Sequence, residues 1–411
     1  MDVVHDRAVG VDISKRDAKV CVRVPGTKPG TFTNSVSTWG ATTNQILALR
    51  QFLESQEVTV VVMESTSDYW KPFYYLLENN LPVKLVNAKN ARNIPGRKTD
   101  VSDSQWLAQL GAHGLLRSSF VPPEPIRQLR DLTRARAVIT ADRAREIQRL
   151  EKFLESSGLK LSSVVSDLLG VSSRMMLDAL VAGERDTLVL AALAQRRMKA
   201  KIPELIEALN GRFTDHHAMM VRTHLKVIDT FTQCIDAFTD EIETAIEPFR
   251  AARDSLETIP GVSKRVAEVV IAETGGDMNV FPTAGHLASW AGVSPGSNES
   301  AGRVKSSHIL PGNKHLKAAL GIAAMAASHS KSSYLAVKYR RIAARRGPIK
   351  AVVALEHSIL TAVWNMLTTG ETYLDLGVDH YTKLNPERLK RRAIKQLESV
   401  GFDVTLSPRA A

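Results

Sequence analysis

Cysteine is nearly absent from this chain: Cys21 and Cys234 are the only two in 411 residues, and no His or Cys lies near enough to complete a zinc knuckle. That excludes a disulfide scaffold and leads us to expect a reducing, cytoplasmic setting. Long apolar runs are missing as well. The best candidate, around Ala318 to Ala327, is interrupted by Gly321 and stops at Ser328, so no membrane-spanning segment is expected. The opening MDVVHDRAVGVDISK is too short and too charged to read as a secretory leader. What remains is the composition of a soluble globular protein, 44% hydrophobic and 24% charged, with length for two or three domains. Acidic residues are outnumbered: 54 Lys and Arg against 43 Asp and Glu give a net charge of +11. Such an excess points to a polyanionic partner, of which nucleic acid is the commonest.

The first stretch alternates strand and helix signals. RAVGVDI (Arg7 to Ile13) is a short β-branched run, AKVCVRV (Ala18 to Val24) alternates with period two, and a third strand is expected near Thr31 to Val36. Thr42 to Ser55 has helical spacing. VTVVVM (Val58 to Met63) reads as a buried strand ending at Glu64, followed by a helix near Tyr69 to Glu78 and a strand at Val83 to Val86. Three strands followed by alternating strands and helices is the order of an α/β, ribonuclease-H-like domain, assigned to residues 1–123 and closed by VPPEP. Residues 124–250 read as a helical connector. One apolar stripe runs through Ile126, Leu129, Leu132, Val138, Ile147, Leu150 and Leu154; a second runs from Leu225 through Ile235 to Phe249. The stripes fit either a coiled-coil oligomerisation arm or two helices of an ordinary bundle. Residues 251–375 form a mainly α-helical C-terminal domain, and 376–411 a basic tail with a short helix after Asn385.

Acids sit where this order of elements would gather them. Asp12 closes the first strand and Glu64 the fourth, which are neighbours in a ribonuclease-H-like sheet. Asp100 and Asp103, in KTDVSDSQWLAQL, are expected on one face of a helix start. Four carboxylates in one place repel one another unless divalent cations neutralise them, and hard oxygen donors suit Mg²⁺ or Mn²⁺. Such a site can support phosphodiester displacement. Each acid alone could equally be a strand-end, surface or helix-capping residue; their joint placement favours the site. Lys15, Arg97 and Lys98 flank it and could contact phosphates.

In the C-terminal part, SLETIPGVSKRVAEVVIAETG (Ser255 to Gly275) reads as helix, tight turn, helix, a helix-hairpin-helix that could offer Lys264 or Arg265 to a phosphate. Gly292 to Gly312 is rich in Gly, Ser and Pro and is expected to lack regular structure. Within it Ser300, followed by Ala301, Gly302 and Arg303, is a candidate nucleophile, with Arg303 and Lys305 able to stabilise developing charge. Composition does not choose among Ser297, Ser300, Ser306 and Ser307. KYRRIAARRGPIKA, with Arg340, Arg341, Arg345 and Arg346, reads as a basic helix ending at Gly347 and a contact for nucleic acid.

The motifs VGVDISK, VVVMES, KTDVSDSQWLA, IPGVSKRVA and AGVSPGSNESAGR, in this order and over nearly the whole chain, resemble the DEDD transposases of insertion sequences of the one-ten group, bridge-RNA-guided recombinases. The resemblance implies that Asp12, Glu64, Asp100 and Asp103 bind Mg²⁺ and that Ser300 attacks the DNA backbone to form a covalent phosphoserine intermediate. It further implies a Holliday-junction-resolvase-like N-terminal domain, a coiled-coil connector, a tetramer in which the acids and the serine meet across subunits, and a structured non-coding RNA that pairs with donor and target DNA. The sequence departs from many relatives in one place: Ala301 stands between Ser300 and Gly302, which those relatives bring side by side. The main alternative is a metal-dependent Holliday-junction resolvase-type nuclease that cuts by water attack, with Ser300 structural. A non-catalytic nucleic-acid-binding protein is disfavoured by the complete tetrad. An actin-like ATPase, suggested by VGVDIS, lacks its second Gly-rich phosphate loop.

Overall fold

β-Branched and small residues in alternation shape the first unit of the computed structural model, which describes residues 2–87, 102–296, 298–384 and 386–406. Five strands are present: β1 (Ala8–Ile13), β2 (Asp17–Pro25), β3 (Phe32–Gly40), β4 (Val60–Glu64) and β5 (Val83–Val86). They form one mixed sheet in the order β3-β2-β1-β4-β5. β1, β2 and β3 pair antiparallel, whereas β4 runs parallel to β1 and β5 parallel to β4. Helices α1 (Thr43–Ser55) and α2 (Trp70–Leu77) cover one face. Their Ile46, Leu49, Leu53, Phe73 and Leu77 pack with Val9, Val11, Val61 and Met63 of the strands. Helix α3 (Asp103–Ala112) belongs to the opposite face, where Trp106, Leu107 and Leu110 join Ala8, Val60 and Val62. Both faces of β1 and β4 are therefore covered, which is why these strands read as continuous apolar runs.

The chain divides into two compact units, Met1–Val121 and Pro122–Ala411. Among its described residues the second is helical apart from one two-stranded sheet. Two long helices, α4 (Glu124–Ser156) and α5 (Asp215–Ala245), pack along each other. Beyond their far ends, shorter helices at Val171–Ala182, Thr187–Ala192 and Ile202–Ala208 enclose a core in which Leu150, Leu154, Val221 and Leu225 meet Met176, Leu177 and Leu205. Gly170 caps the first of these helices and Gly183 ends it. The stripe on α4 differs from the sequence reading. Val138 is 54% exposed, and Thr133 and Arg136 take the buried positions. A charged side chain holds a core position there because a partner carboxylate, Glu268, meets it.

The rest of this unit comprises α6 (Arg250–Leu256), α7 (Lys264–Thr274), α8 (Ala284–Ala291), α9 (Lys314–Ser328), α10 (Tyr334–Arg346), α11 (Pro348–Thr369) and two C-terminal helices, α12 (His380–Leu384) and α13 (Pro386–Glu398). Helix α11 corrects one expectation. Its 22 residues are long and apolar enough, by length and composition, to cross a membrane, with a mean hydropathy of 1.2 over its best window. The run escapes notice in the sequence because Lys350, Glu356 and His357 interrupt it. In the structure one side of it packs inward: 39% of that window is buried, Leu355, Ile359, Leu360 and Val363 fully, against α8, α9 and α10. A second correction concerns Gly292 to Gly312, where regular structure is present: β6 (Asn298–Ser300) and β7 (Arg303–Ser306) form an antiparallel hairpin.

Candidate active site

The acidic end of the first unit is built by strand register. β1 and β4 pair in parallel through Val11 opposite Met63, and the next residues along are Asp12 and Glu64. The two carboxylates thus leave adjacent strands at the same level. Side chains alternate across a sheet, and Gly10 fixes which way they point. A Cβ built there would fall 2.0 Å from the carbonyl oxygen of Ser104 and 2.4 Å from the amide of Ala108, so α3 lies directly on that position. Asp12, two residues on, faces the same side. Glu64 does so too, two residues beyond Val62, whose side chain lies under Gly111 of α3.

Helix α3 begins at this end. Its last residue, Ala112, accepts hydrogen bonds from the amides of Val4 and His5, ahead of β1, so α3 runs antiparallel to β1 and its first residue, Asp103, lies toward Asp12 and Glu64. Asp103 is not the cap. Ser102 holds that role, with a capping box in which Ser102 and Gln105 satisfy each other's backbone amides. A carboxylate in the first turn sits favourably with the helix dipole. Asp12 is half-buried and Glu64 is 9% exposed. Asp100 and Lys98 lie outside the described residues. Among the described residues no three His, Cys, Asp or Glu side chains gather closely enough to hold a metal ion. The donors brought to this end are all carboxylate oxygens, a set whose hardness fits Mg²⁺ or Mn²⁺ rather than softer ions.

Ser300 stands at the tip of an arm. The chain leaves α8 at Gly292 and returns to α9 at Gly312, and at this neck the two legs touch backbone to backbone. A Cβ on Gly312 would lie 2.3 Å from the carbonyl of Ala291, and one on Gly292 would lie 2.9 Å from the Cα of Gly312. Only glycine allows that approach. At the tip, Ala301 (φ 52) and Gly302 (φ 74) both adopt left-handed backbone, the pattern of the tight turns that match hairpin twist. Ser300 pairs across the turn with Arg303, so their side chains share one face of the hairpin. Lys305, two residues further, lies on the Arg303 side. Ser300, Arg303 and Lys305 are all exposed. The irregular register between Asn298 and Glu299 twists the hairpin just before the serine. Ser297 lies outside the described residues.

The other basic residues divide into engaged and available. Lys264 gives its ammonium to Glu243 at 2.6 Å, beside Arg253 at 3.0 Å. The hydrogen bond from Lys264, then that from Arg253, draws the Glu243 carboxyl down to about 2. Arg265, its neighbour, is exposed, as is Lys15 in the turn after β1. On α10, Arg340, Arg341, Arg345 and Arg346 are all exposed, and the Arg341 guanidinium stacks 4.2 Å over the ring of Tyr381.

One cluster escapes the sequence reading. Glu273, at the end of α7, is fully buried yet charged. Arg134 of α4 grips it with two hydrogen bonds of 2.7 and 2.8 Å, and the Asn313 amide donates a third of 2.8 Å. Burial pushes this carboxyl up, but the bonds from Arg134 and Asn313 outweigh it and hold the pKa below its ordinary value. The signal in the sequence is the polar interruption of the α4 stripe at Thr133 to Arg136, within an otherwise apolar pattern.

Comparison with known proteins finds family matches over both regions. A family model of DEDD transposases of the IS110 type, described as "Transposase", matches residues 9–158, and one described as "Transposase IS116/IS110/IS902 family" matches residues 253–340. The first stretch contains all four acids; the second contains Lys264, Arg265, the whole Ser300 arm and Arg340. The chain is also similar to an uncharacterised 43.6 kDa protein of insertion element IS110 from Streptomyces coelicolor, at 32% identity over 119 residues. That match spans 29% of this chain and 29% of the relative.

Proposed function

Since the chain belongs to the IS110 family of DEDD transposases, we propose that it is an insertion-sequence transposase, a DNA recombinase that cleaves and rejoins strands with Ser300 as nucleophile. The observation that carries this reading is the arm: an exposed serine at the tip of a hairpin, on the same face as Arg303, held on a neck of two glycines. The first unit supports it. Its strand order, with β1 between an antiparallel and a parallel neighbour, agrees with a ribonuclease-H-like domain, and Asp12, Glu64 and Asp103 stand toward one end of it.

In this mechanism the Ser300 Oγ forms a bond to a backbone phosphorus while the bond from that phosphorus to the leaving sugar oxygen breaks. The serine proton reaches the departing oxygen by way of solvent, so one phosphodiester replaces another and strand energy is conserved for rejoining. Arg303, across the turn, and Lys305 face the charge that builds on the phosphoryl oxygens. Asp12, Glu64, Asp100 and Asp103 would hold Mg²⁺ or Mn²⁺, which neutralises phosphate charge and polarises oxygen when bound. Arg340, Arg341, Arg345 and Arg346 track phosphates on DNA or on a structured guide RNA, whose shape rather than sequence such residues read. The partners in this reading are DNA, that RNA and further copies of the chain.

The test incubates the protein with Mg²⁺, labelled DNA flanking its own gene and RNA transcribed from that flank, then denatures and resolves the mixture. A covalent protein–DNA band is expected, lost in Ser300→Ala and in Asp12→Ala. Cleavage without any covalent band, unchanged by Ser300→Ala but lost in Asp12→Ala, would replace this reading with a metal-dependent nuclease of the Holliday-junction resolvase type.

A further inference from the structure

Both legs of the serine arm meet at Gly292 and Gly312, and the residue after that neck is Asn313. Its side chain does two jobs with two different atoms. The Oδ1 accepts from the amides of His315 and Leu316 and so caps α9. The Nδ2 donates to Glu273 Oε2 at 2.8 Å. Glu273 offers no freedom of its own: its side chain is wholly buried and Arg134 holds both carboxylate oxygens. Arg130, one turn earlier on α4, binds the carbonyls of Ala272 and Glu273 at 3.0 and 2.8 Å and ties the same point of the backbone. A bidentate guanidinium–carboxylate pair fixes direction as well as distance.

The position of the returning leg is therefore set by α4, through Arg134, Glu273 and Asn313 in series. An ordinary helix cap would not need the last link, because Ser or Asp caps as well as Asn and neither can donate an amide hydrogen to a carboxylate. We infer that Arg134, Glu273 and Asn313 form a positioning relay that aims the Ser300 hairpin. They are positioning residues, since none of them lies at the hairpin tip. The inference rests on Ser300 as the nucleophile only for its catalytic readout; the aim of the arm can be measured without chemistry.

The test compares wild type with Asn313→Ser and with Asn313→Asp. Both variants keep a side-chain oxygen for the α9 cap and neither can donate an amide hydrogen to Glu273; Asn313→Asp in addition sets two carboxylates face to face. Two readouts are taken: hydrogen exchange of the neck amides in 292–296 and 308–312, and the rate of the Ser300 adduct alongside DNA affinity. For both variants neck exchange is expected to rise tenfold or more and the adduct rate to fall at least tenfold, with DNA affinity changed less than twofold, and Asn313→Asp should be the more severe. Neck exchange unchanged in either folded variant, or an adduct rate that falls only in step with DNA affinity, overturns the relay. If the wild type forms no serine adduct, the nucleophile assignment fails while the exchange data still decide the relay.

Discussion

At the scale of single residues, two backbone positions carry more than their side chains suggest. Gly10 lies under α3 with no room for a methyl group, since a Cβ added there would meet Ser104 and Ala108 backbone atoms at 2.0 and 2.4 Å. Backbone cannot swing aside as a flexible side chain can. Gly10→Ala is expected to cost about 3 kcal/mol through overpacking, read from denaturant melts; a loss under about 1 kcal/mol would show that α3 shifts freely on the sheet. Ala301 is the opposite case, a residue with a Cβ held at φ 52 in an exposed turn. Left-handed backbone costs an L-residue about 1 kcal/mol, so Ala301→Gly should relieve strain and populate the hairpin more fully, seen as slower exchange of the β6–β7 amides. Faster exchange would mean that glycine's unfolded-state entropy outweighs the strain. Asp12 and Glu64 could be placed from sequence because each ends an apolar run, and strand ends are legible from composition. Glu273 could not: its importance comes from Arg134 and Asn313, which lie 139 and 40 residues away in the chain.

At the scale of elements, local pattern locates the strands and helices of the first unit to within a few residues, because one buried face imposes period two or 3.6 on the sequence. The Ser300 hairpin is hidden for the converse reason. Both its strands are short and exposed at the tip, so no apolar alternation marks them, and its turn uses alanine where Asn-Gly would have given the signal. The pairing of α4 with other helices turns on charge as well as apolar contact. Arg136 meets Glu268 with both side chains at most 5% exposed, and Arg136 Nη1 finds no hydrogen-bond partner among the described residues. Arg136→Met alone should cost about 3 to 5 kcal/mol, since it strands a buried carboxylate, whereas Arg136→Met with Glu268→Leu should return to near wild-type stability. Equal losses in single and double variants would instead point to shape rather than charge. A different element junction carries a pH signature. Glu243, on α5, is drawn from an ordinary 4.5 to about 2 by Lys264 and Arg253. A carboxyl whose folded pKa lies below its unfolded one adds stability in full above the unfolded value and loses it as pH falls toward the folded one. Thermal melts of wild type and Glu243→Gln should therefore differ most above about pH 5.5 and converge only at about pH 1, below both pKa values; a gap independent of pH would contradict the assigned ion pair.

At the scale of the whole molecule, the excess of 11 positive charges is legible from composition alone, but its use is not. Some cations are spent internally, as Arg134 is on Glu273 and Lys264 on Glu243. Others, on α10, remain exposed in a group of four arginines. Sequence counts both kinds alike, because an ion pair depends on a partner that folding supplies. Salt dependence separates them. Each phosphate neutralised on duplex DNA contributes about 0.9 to the slope of log affinity against log salt. Replacing Arg340, Arg341, Arg345 and Arg346 with Gln should make that slope shallower by up to about 3.6, whereas Lys264→Gln should leave it nearly unchanged because that charge is already paired. On the proposed function, in which the acids serve chemistry and the arginines capture, Asp12→Asn should abolish cleavage and leave the slope as it was. A slope that stays steep in the arginine variant would move the phosphate track off α10 to other exposed cations such as Arg265, Arg303 and Lys305. A slope that flattens with Lys264→Gln would mean that the Glu243 pair opens on binding, and that nucleic acid competes for a contact the free protein uses to hold α5 against α7.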